Sequence, residues 1–164
     1  RVKKLGMDSA AITDHGVMYG VIDFYKACRA EGIRPILGCE VYVAPNSRFD
    51  KELTGGDDRY YHLVLLAENN TGYNNLTRIV SRGFTEGYYY KPRVDMELLQ
   101  EFHEGIIALS ACLAGEVQRY ITKGLYDEAK KTALKYQACF GKGNYFLEIT
   151  DCRSRRWSIR RCCR

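Results

Sequence analysis

The feature that most constrains this chain is a repeated change of period. Short apolar runs alternate with segments whose apolar residues recur at helical spacing, from residue 7 to residue 149. A run of Met7–Thr13 reads as a strand, and 19–31 carries Val21, Phe24, Tyr25 and Cys28 at helical intervals, with Gly32 as its terminator. Thr13, Asp14, His15 and Gly16 read as the turn between them. Strands follow at 34–43, 60–67, 105–110 and 145–149, with helices starting at Thr71 and spanning 95–102, 116–123 and 126–140. The segment 45–59, PNSRFDKELTGGDDR, is polar and Gly-rich and reads as a loop or hairpin tip, and 83–92 as aromatic and irregular. Strand, turn and helix in repetition predict an α/β fold with parallel strands joined by helical crossovers.

The length of 164 residues suits one ordinary core, and no apolar run is long enough to cross a bilayer. Neither a Met start nor a signal-like apolar core occurs in RVKKLGMDS, which reads as the last turns of an amphipathic helix, so the chain is expected to be a piece cut at its front. Seven cysteines (28, 39, 112, 139, 152, 162, 163) are odd in number and scattered, so reduced thiols in a cytoplasmic protein are expected rather than a disulfide framework. There is no CxxC pair of the kind a structural zinc site uses.

The net charge of +5 comes entirely from the end of the chain: without the six arginines of CRSRRWSIRRCCR it falls to −1. The body thus makes no electrostatic case for nucleic acid. That tail, 152–164, reads either as a basic arm or as the non-native product of a frameshift near Thr150. Suitable codons for EITDCRSRRWSIRRCC, read in another frame, give DHGLPEQKMEYTAVL, an ordinary loop entering a helix. The expected organisation is one domain over 1–151 followed by a foreign tail, and resequencing the coding DNA is the direct test.

Four polar residues fall near strand ends, His15, Glu40, His62 and Cys112, and all four are metal-ligand types. If the strands curl into a barrel, they could meet at one rim. Each has a plainer alternative. His15 could be a turn residue bonded to backbone, and Thr13 or Asp14 could simply cap the next helix. His62 could be a satisfied core histidine and Cys112 a small buried apolar residue. Glu40, in LGCEVYV, is harder to dismiss, because a carboxylate in an apolar strand is costly unless paired or metal-bound. Cys28, Cys39 and Cys139 fit core faces, and His103 an exposed helix end. In FTEGYYYKPRVD, aromatic and basic residues mix as they do on single-strand nucleic-acid surfaces. The favoured alternative is a loop whose tyrosines pack on the barrel while Lys91 and Arg93 pair with acids.

The stretch ITDHGVMYGVIDFYKACRAEGIRPILGCEVYVAP resembles the second and third motif regions of the PHP (polymerase and histidinol phosphatase) domain family. HLVLLAENNTGYNNLTRIVSRGFTEGYYYKPRVDMELL and EGIIALSACLAGEV are similar to the subgroup carried by bacterial DNA polymerase III alpha subunits, the replicative polymerases. The resemblance runs in order through residues 1–149, and the shifted-frame DHGLPEQ is similar to the piece that follows. It implies an incomplete, distorted (β/α)7 barrel with divalent metal ions, zinc or manganese, at its rim, and magnesium in the polymerase site of the intact parent. It places His15 of TDHG, Glu40 of GCE, His62 of YYHL and Cys112 of SAC at ligand positions, and Asp14 behind them, orienting a ligand. The family's HxH pair on the first strand and its late DxH pair are both missing here, so weak metal binding and no nuclease turnover are expected of this chain alone.

The activity implied for the intact parent is DNA-directed DNA polymerisation in replication. The barrel itself would catalyse metal-dependent phosphoester hydrolysis of the 3′–5′ proofreading type. The alternatives are a silent scaffold docking a separate proofreading exonuclease, and a free-standing phosphoesterase. The implied partners are DNA and the other replicase subunits, and no membrane.

Overall fold

The computed structural model describes residues 1–52 and 59–149. The expected tail at 152–164 and the middle of the 45–59 loop lie outside the described residues. Strands β1 (Ser9–His15) and β2 (Arg34–Val43) are joined by helix α1 (Val21–Ala30). Then come β3 (Tyr61–Ala67), α2 (Asn70–Thr85), the short β4 (Tyr88–Tyr89) and β5 (Lys91–Val94), and α3 (Met96–Glu101). Strand β6 (Ile106–Leu109), helices α4 (Glu116–Thr122) and α5 (Tyr126–Phe140), and β7 (Tyr145–Phe146) complete the described chain.

Seven strands form one sheet in the order β4-β5-β2-β3-β6-β7, with β1 also on β2. Among the described residues this sheet does not close on itself, as an incomplete barrel requires. The pairing is mixed. β1–β2, β2–β5 and β6–β7 are parallel, as expected. β3, however, runs antiparallel to both β2 and β6. The physical reason is the connection: the polar, Gly-rich stretch after β2 carries no helical pattern, and a chain that returns without a crossover lies antiparallel. The tract expected to be irregular contains the end of α2 and a tight antiparallel β4–β5 hairpin.

Strand alternation sorts the sheet into two faces. Cys39, Val41 and Val43 of β2, Tyr61, Leu63 and Leu65 of β3, and Ile106 and Ala108 of β6 face the core. They pack on Leu76 and Ile79 of α2, Leu98 and Leu99 of α3, and Tyr136, Cys139 and Phe140 of α5. Helix starts are fixed by side chains: Asn69 accepts from the Gly72 N–H at the start of α2, and Asp95 from the Leu98 N–H at the start of α3. The opposite face carries Glu40, Tyr42 and His62.

One edge of β2 changes partner along its length. β1 pairs with Arg34–Glu40, and β5 takes over at Tyr42 and Val43. A place where the neighbouring strand switches opens a crevice, and crevices of this kind hold ligands in α/β sheets.

Candidate metal centre at the strand switch

The sequence TDHG does not form the expected turn. Thr13, Asp14 and His15 continue β1, opposite Gly38, Cys39 and Glu40. The chain leaves only at Gly16, whose N–H donates to the Glu40 carbonyl at 2.9 Å and whose φ of +70° swings the backbone away. His15 is therefore the last residue of the strand and sits beside Glu40. On the other strand, register places His62 beside Tyr42 and Glu40 beside Val64. Because β3 is antiparallel, its beginning lies at the same rim as the end of β1.

The result is a cluster in which ligand atoms of His15, Glu40 and His62 all lie within 4.8 Å of one another, an arrangement that could hold a metal ion. His62 Nδ1 is 2.6 Å from Glu40 Oε1, and His15 Nε2 is 3.6 Å from Glu40 Oε2. The Glu40 and His62 side chains are 14% and 10% exposed, whereas His15 is 60% exposed and forms the open side. The donor set of two imidazoles and a carboxylate is one that zinc and manganese accept.

Cys112 arrives from the turn after β6. Ala111, at φ 61°, reverses the chain, and Ser110 Oγ accepts from Gln118 Nε2 and from the Glu148 N–H. Sγ of Cys112 then stands 3.7 Å from His62 Nδ1 and 4.0 Å from Glu40 Oε1. It thus borders the cluster without belonging to the group within mutual ligand distance.

The groups influence one another. Burial disfavours the His62 imidazolium, but hydrogen bonds to Cys112 and Glu40, and their charge, outweigh it and raise its pKa to about 9. The Cys112 thiol is held below its usual value, chiefly by the hydrogen bond to His62, with partial burial opposing.

Asp14 is not brought to this group. Alternation turns it to the other side of β1, where its Oδ2 accepts from the Gly20 N–H at 3.2 Å just before α1. There it holds the N-cap residue Gly20 where the chain enters α1, without capping the helix's free N–H groups. Cys28, Cys39 and Cys139 are buried free thiols, and burial pushes Cys39 up to about 12. His103 is exposed, as expected, with Nδ1 2.8 Å from the Gln100 carbonyl.

The aromatic lining of the cluster lies outside the residues that chemistry singles out in the sequence. Tyr42 packs edge-on against His62 with centroids 5.3 Å apart, and stacks near His15 at 6.5 Å. Tyr60 stacks on His62 at 6.0 Å. The available signal was period two: Tyr42 stands two residues from Glu40, and Tyr60 two from His62. Arg93 also departs from expectation. It is buried and, among the described residues, donates to the carbonyls of Gly87, Arg48 and Asp50 rather than to an acid.

An open mixed sheet with a His–Glu–His cluster at its rim defines a class, and the chain belongs to the PHP-domain family, whose description matches residues 1–152. Within that family the relatives it matches are DNA polymerase III alpha subunits. It is 52% identical to DNA polymerase III subunit alpha of Treponema pallidum over 149 residues, which cover 91% of this chain and 13% of that protein. The corresponding subunit of Deinococcus radiodurans is 49% identical over 144 residues, 86% of this chain and 11% of that protein. That of Thermus aquaticus is 46% identical over 142 residues, with 86% and 12% covered. The chain thus spans about an eighth of the length of these curated relatives. A solved structure from Bifidobacterium adolescentis, described as a metal-dependent phosphoesterase, overlaps 92% of this chain and 51% of its own at 12% identity. Its TM-score of 0.30 is too low to carry an argument. No helix among the described residues is long and apolar enough to cross a membrane.

Proposed function

We propose that this chain is the PHP portion of a cytoplasmic replicative DNA polymerase. In this reading His15, Glu40 and His62 hold a divalent metal, zinc or manganese, for 3′–5′ hydrolysis of phosphodiesters, with Cys112 at the edge of the site. The observation that carries the reading is the convergence of three ligand atoms within 4.8 Å from strands far apart in sequence. A metal held there would lower the pKa of a bound water and neutralise charge on phosphoryl oxygens. The protein's own contribution is positioning. The Gly16 turn, bonded to the Glu40 carbonyl, sets His15 at the strand end. The Tyr42 and Tyr60 rings pack against His62 and limit water on that side. Polymerisation, its magnesium site, DNA and the other replicase subunits belong to the longer protein in the same proposal, and residues 152–164 to a non-native tail.

The test begins with metal titration of the 164-residue chain, using zinc and manganese by calorimetry and cobalt(II) by absorption. One weak site is expected, with a thiolate-to-cobalt band if Cys112 joins the ligands. Loss of one ligand should weaken binding by more than the roughly 10–100-fold that an outer partner costs, so Glu40→Gln should abolish it. Binding unchanged in both Glu40→Gln and His62→Ala would overturn the assignment. In the intact polymerase, His15→Ala should remove metal-dependent 3′–5′ degradation of single-stranded DNA and leave nucleotide addition in place. A parent with no such degradation to remove would point to the silent scaffold instead.

A further inference from the structure

The β4–β5 hairpin packs Tyr89 against Tyr90 and the buried Arg93, and leaves the Tyr90 ring and Lys91 exposed next to the candidate metal centre. Tyr90 stands at the hairpin tip, 62% exposed and at φ 61°, a conformation that non-glycine residues rarely adopt. The Arg59 guanidinium lies over its ring at 4.9 Å. Lys91 follows, exposed, with Nζ 5.5 Å from the centroid of Tyr42, and it meets no carboxylate among the described residues. Tyr42 in turn touches Tyr60 at 4.9 Å and His62 at 5.3 Å. Cation–ring and ring–ring contacts therefore link Lys91, beside the hairpin tip, through the buried Tyr42 ring to Tyr60 and His62.

The hairpin is also held in place. Lys51 Nζ donates to the carbonyls of Glu86 and Tyr88, and Arg93 to those of Gly87, Arg48 and Asp50. An exposed ring, Tyr90, between the cations Arg59 and Lys91 on a fixed support offers a single-stranded polynucleotide a stacking face and phosphate contacts. Bases stack on the rings whatever their sequence, and phosphates meet the cations.

We propose that Arg59, Tyr90 and Lys91, backed by Tyr42 and Tyr60, form a track that binds single-stranded DNA and leads its end to the His15–Glu40–His62 cluster. The proposal rests on the reading of that cluster as a phosphodiester-cleaving centre, but the track needs no metal to bind. This separates the two tests.

A fluorescent oligo(dT) is titrated with the 164-residue chain in EDTA, and anisotropy is read at several salt concentrations. The expected affinity is weak, steeply salt-dependent and higher for single strand than for duplex. Lys91→Ala should flatten the slope of log affinity against log salt by about 0.7, the value for one phosphate contact on a single strand. Tyr90→Ala should weaken binding about tenfold, as loss of one stacked base does. Tyr90→Phe and Lys91→Arg should bind as the parent chain does, and melting curves of all four variants check that folding is intact. The proposal is overturned if the parent chain fails to bind, if it prefers duplex, or if Tyr90→Ala and Lys91→Ala bind like the parent. Zinc titration of the same variants should be unchanged, so failure of the track leaves the metal site standing, and the reverse.

Discussion

Gly16→Ala is the sharpest probe of how this sequence builds its rim. Gly16 follows His15 directly, at φ +70°, and a Cβ there would lie 2.8 Å from Tyr42 Cε2 and 3.0 Å from Pro92 Cγ. The left-handed conformation costs an L-residue about 1–2 kcal/mol. Neither neighbour yields easily. Tyr42 is 6% exposed and wedged by Tyr60 and His62, while Pro92 is paired within the hairpin. Forcing a methyl into such a space costs about 1–3 kcal/mol. The stiffer unfolded chain returns about 0.4–1 kcal/mol. The net destabilisation is about 2–4 kcal/mol, or a melting temperature lower by about 5–15 °C for a chain of this size. Gly32→Ala supplies the control, because Gly32 has φ +69° but no atom within 4 Å of its would-be Cβ. It carries the conformational penalty without the steric one. Urea and thermal unfolding should show Gly16→Ala costing about 1–3 kcal/mol more than Gly32→Ala. Only Gly16→Ala should also weaken zinc binding, since the displaced Tyr42 ring lies against both imidazoles. Equal costs for the two variants would refute the claim that Tyr42 and Pro92 close this corner.

Two further outcomes follow from the network of charges behind the hairpin. Arg48 and Asp95 are each 2% exposed, joined by Nη1–Oδ1 and Nη1–Oδ2 contacts of 2.9 and 3.1 Å. Arg48→Met should cost about 3–5 kcal/mol, because it leaves the buried Asp95 carboxylate to the backbone N–H groups of residue 48 and Leu98 and takes the guanidinium from Glu86 and Glu97, and adding Asp95→Asn should recover part of it in a double-mutant cycle. The Glu86 carboxyl is held below its ordinary value of 4.5 by hydrogen bonds first from Arg82 and then from Arg48. Its folded-state pKa is thus lower than its unfolded one, so it contributes stability that is complete above that range and is lost as pH falls through and below it. Thermal melts should show this acid loss, and Glu86→Gln should make it shallower.

Much of the fold was legible because periodicity is a local property. The α5 boundaries come directly from apolar spacing, and Asn69 and Asp95 mark helix starts by type. Strand direction was not legible in the same way. An alternating pattern looks identical whichever way a strand runs, and only the missing helical pattern after β2 hinted that β3 returns antiparallel. TDHG misled for a related reason. Its residue types favour turns, yet pairing with Gly38–Glu40 keeps Thr13–His15 extended, so tertiary context overrode local preference. Glu40 stood out in the sequence because its carboxylate interrupts an apolar strand, whereas the role of Asp14 depended on which face of β1 it occupies.

The reversal of β3 also explains why four distant residues can share one rim. In a fully parallel sheet, polar residues at C-terminal strand ends converge, and His62, second in its strand, would lie at the far end. Running β3 backwards puts that second residue beside Tyr42, at the end of β2, and running β6 forwards again delivers the turn bearing Cys112 to the same level. The His62 N–H donates to the Ala114 carbonyl at 3.0 Å, so the Cys112 turn is tied directly to the strand that carries the imidazole. The cluster therefore depends on the antiparallel direction of β3 as much as on its own side chains. A helical crossover between β2 and β3 would make β3 parallel and carry His62 a full strand length away from Glu40, at about 3.3 Å per residue.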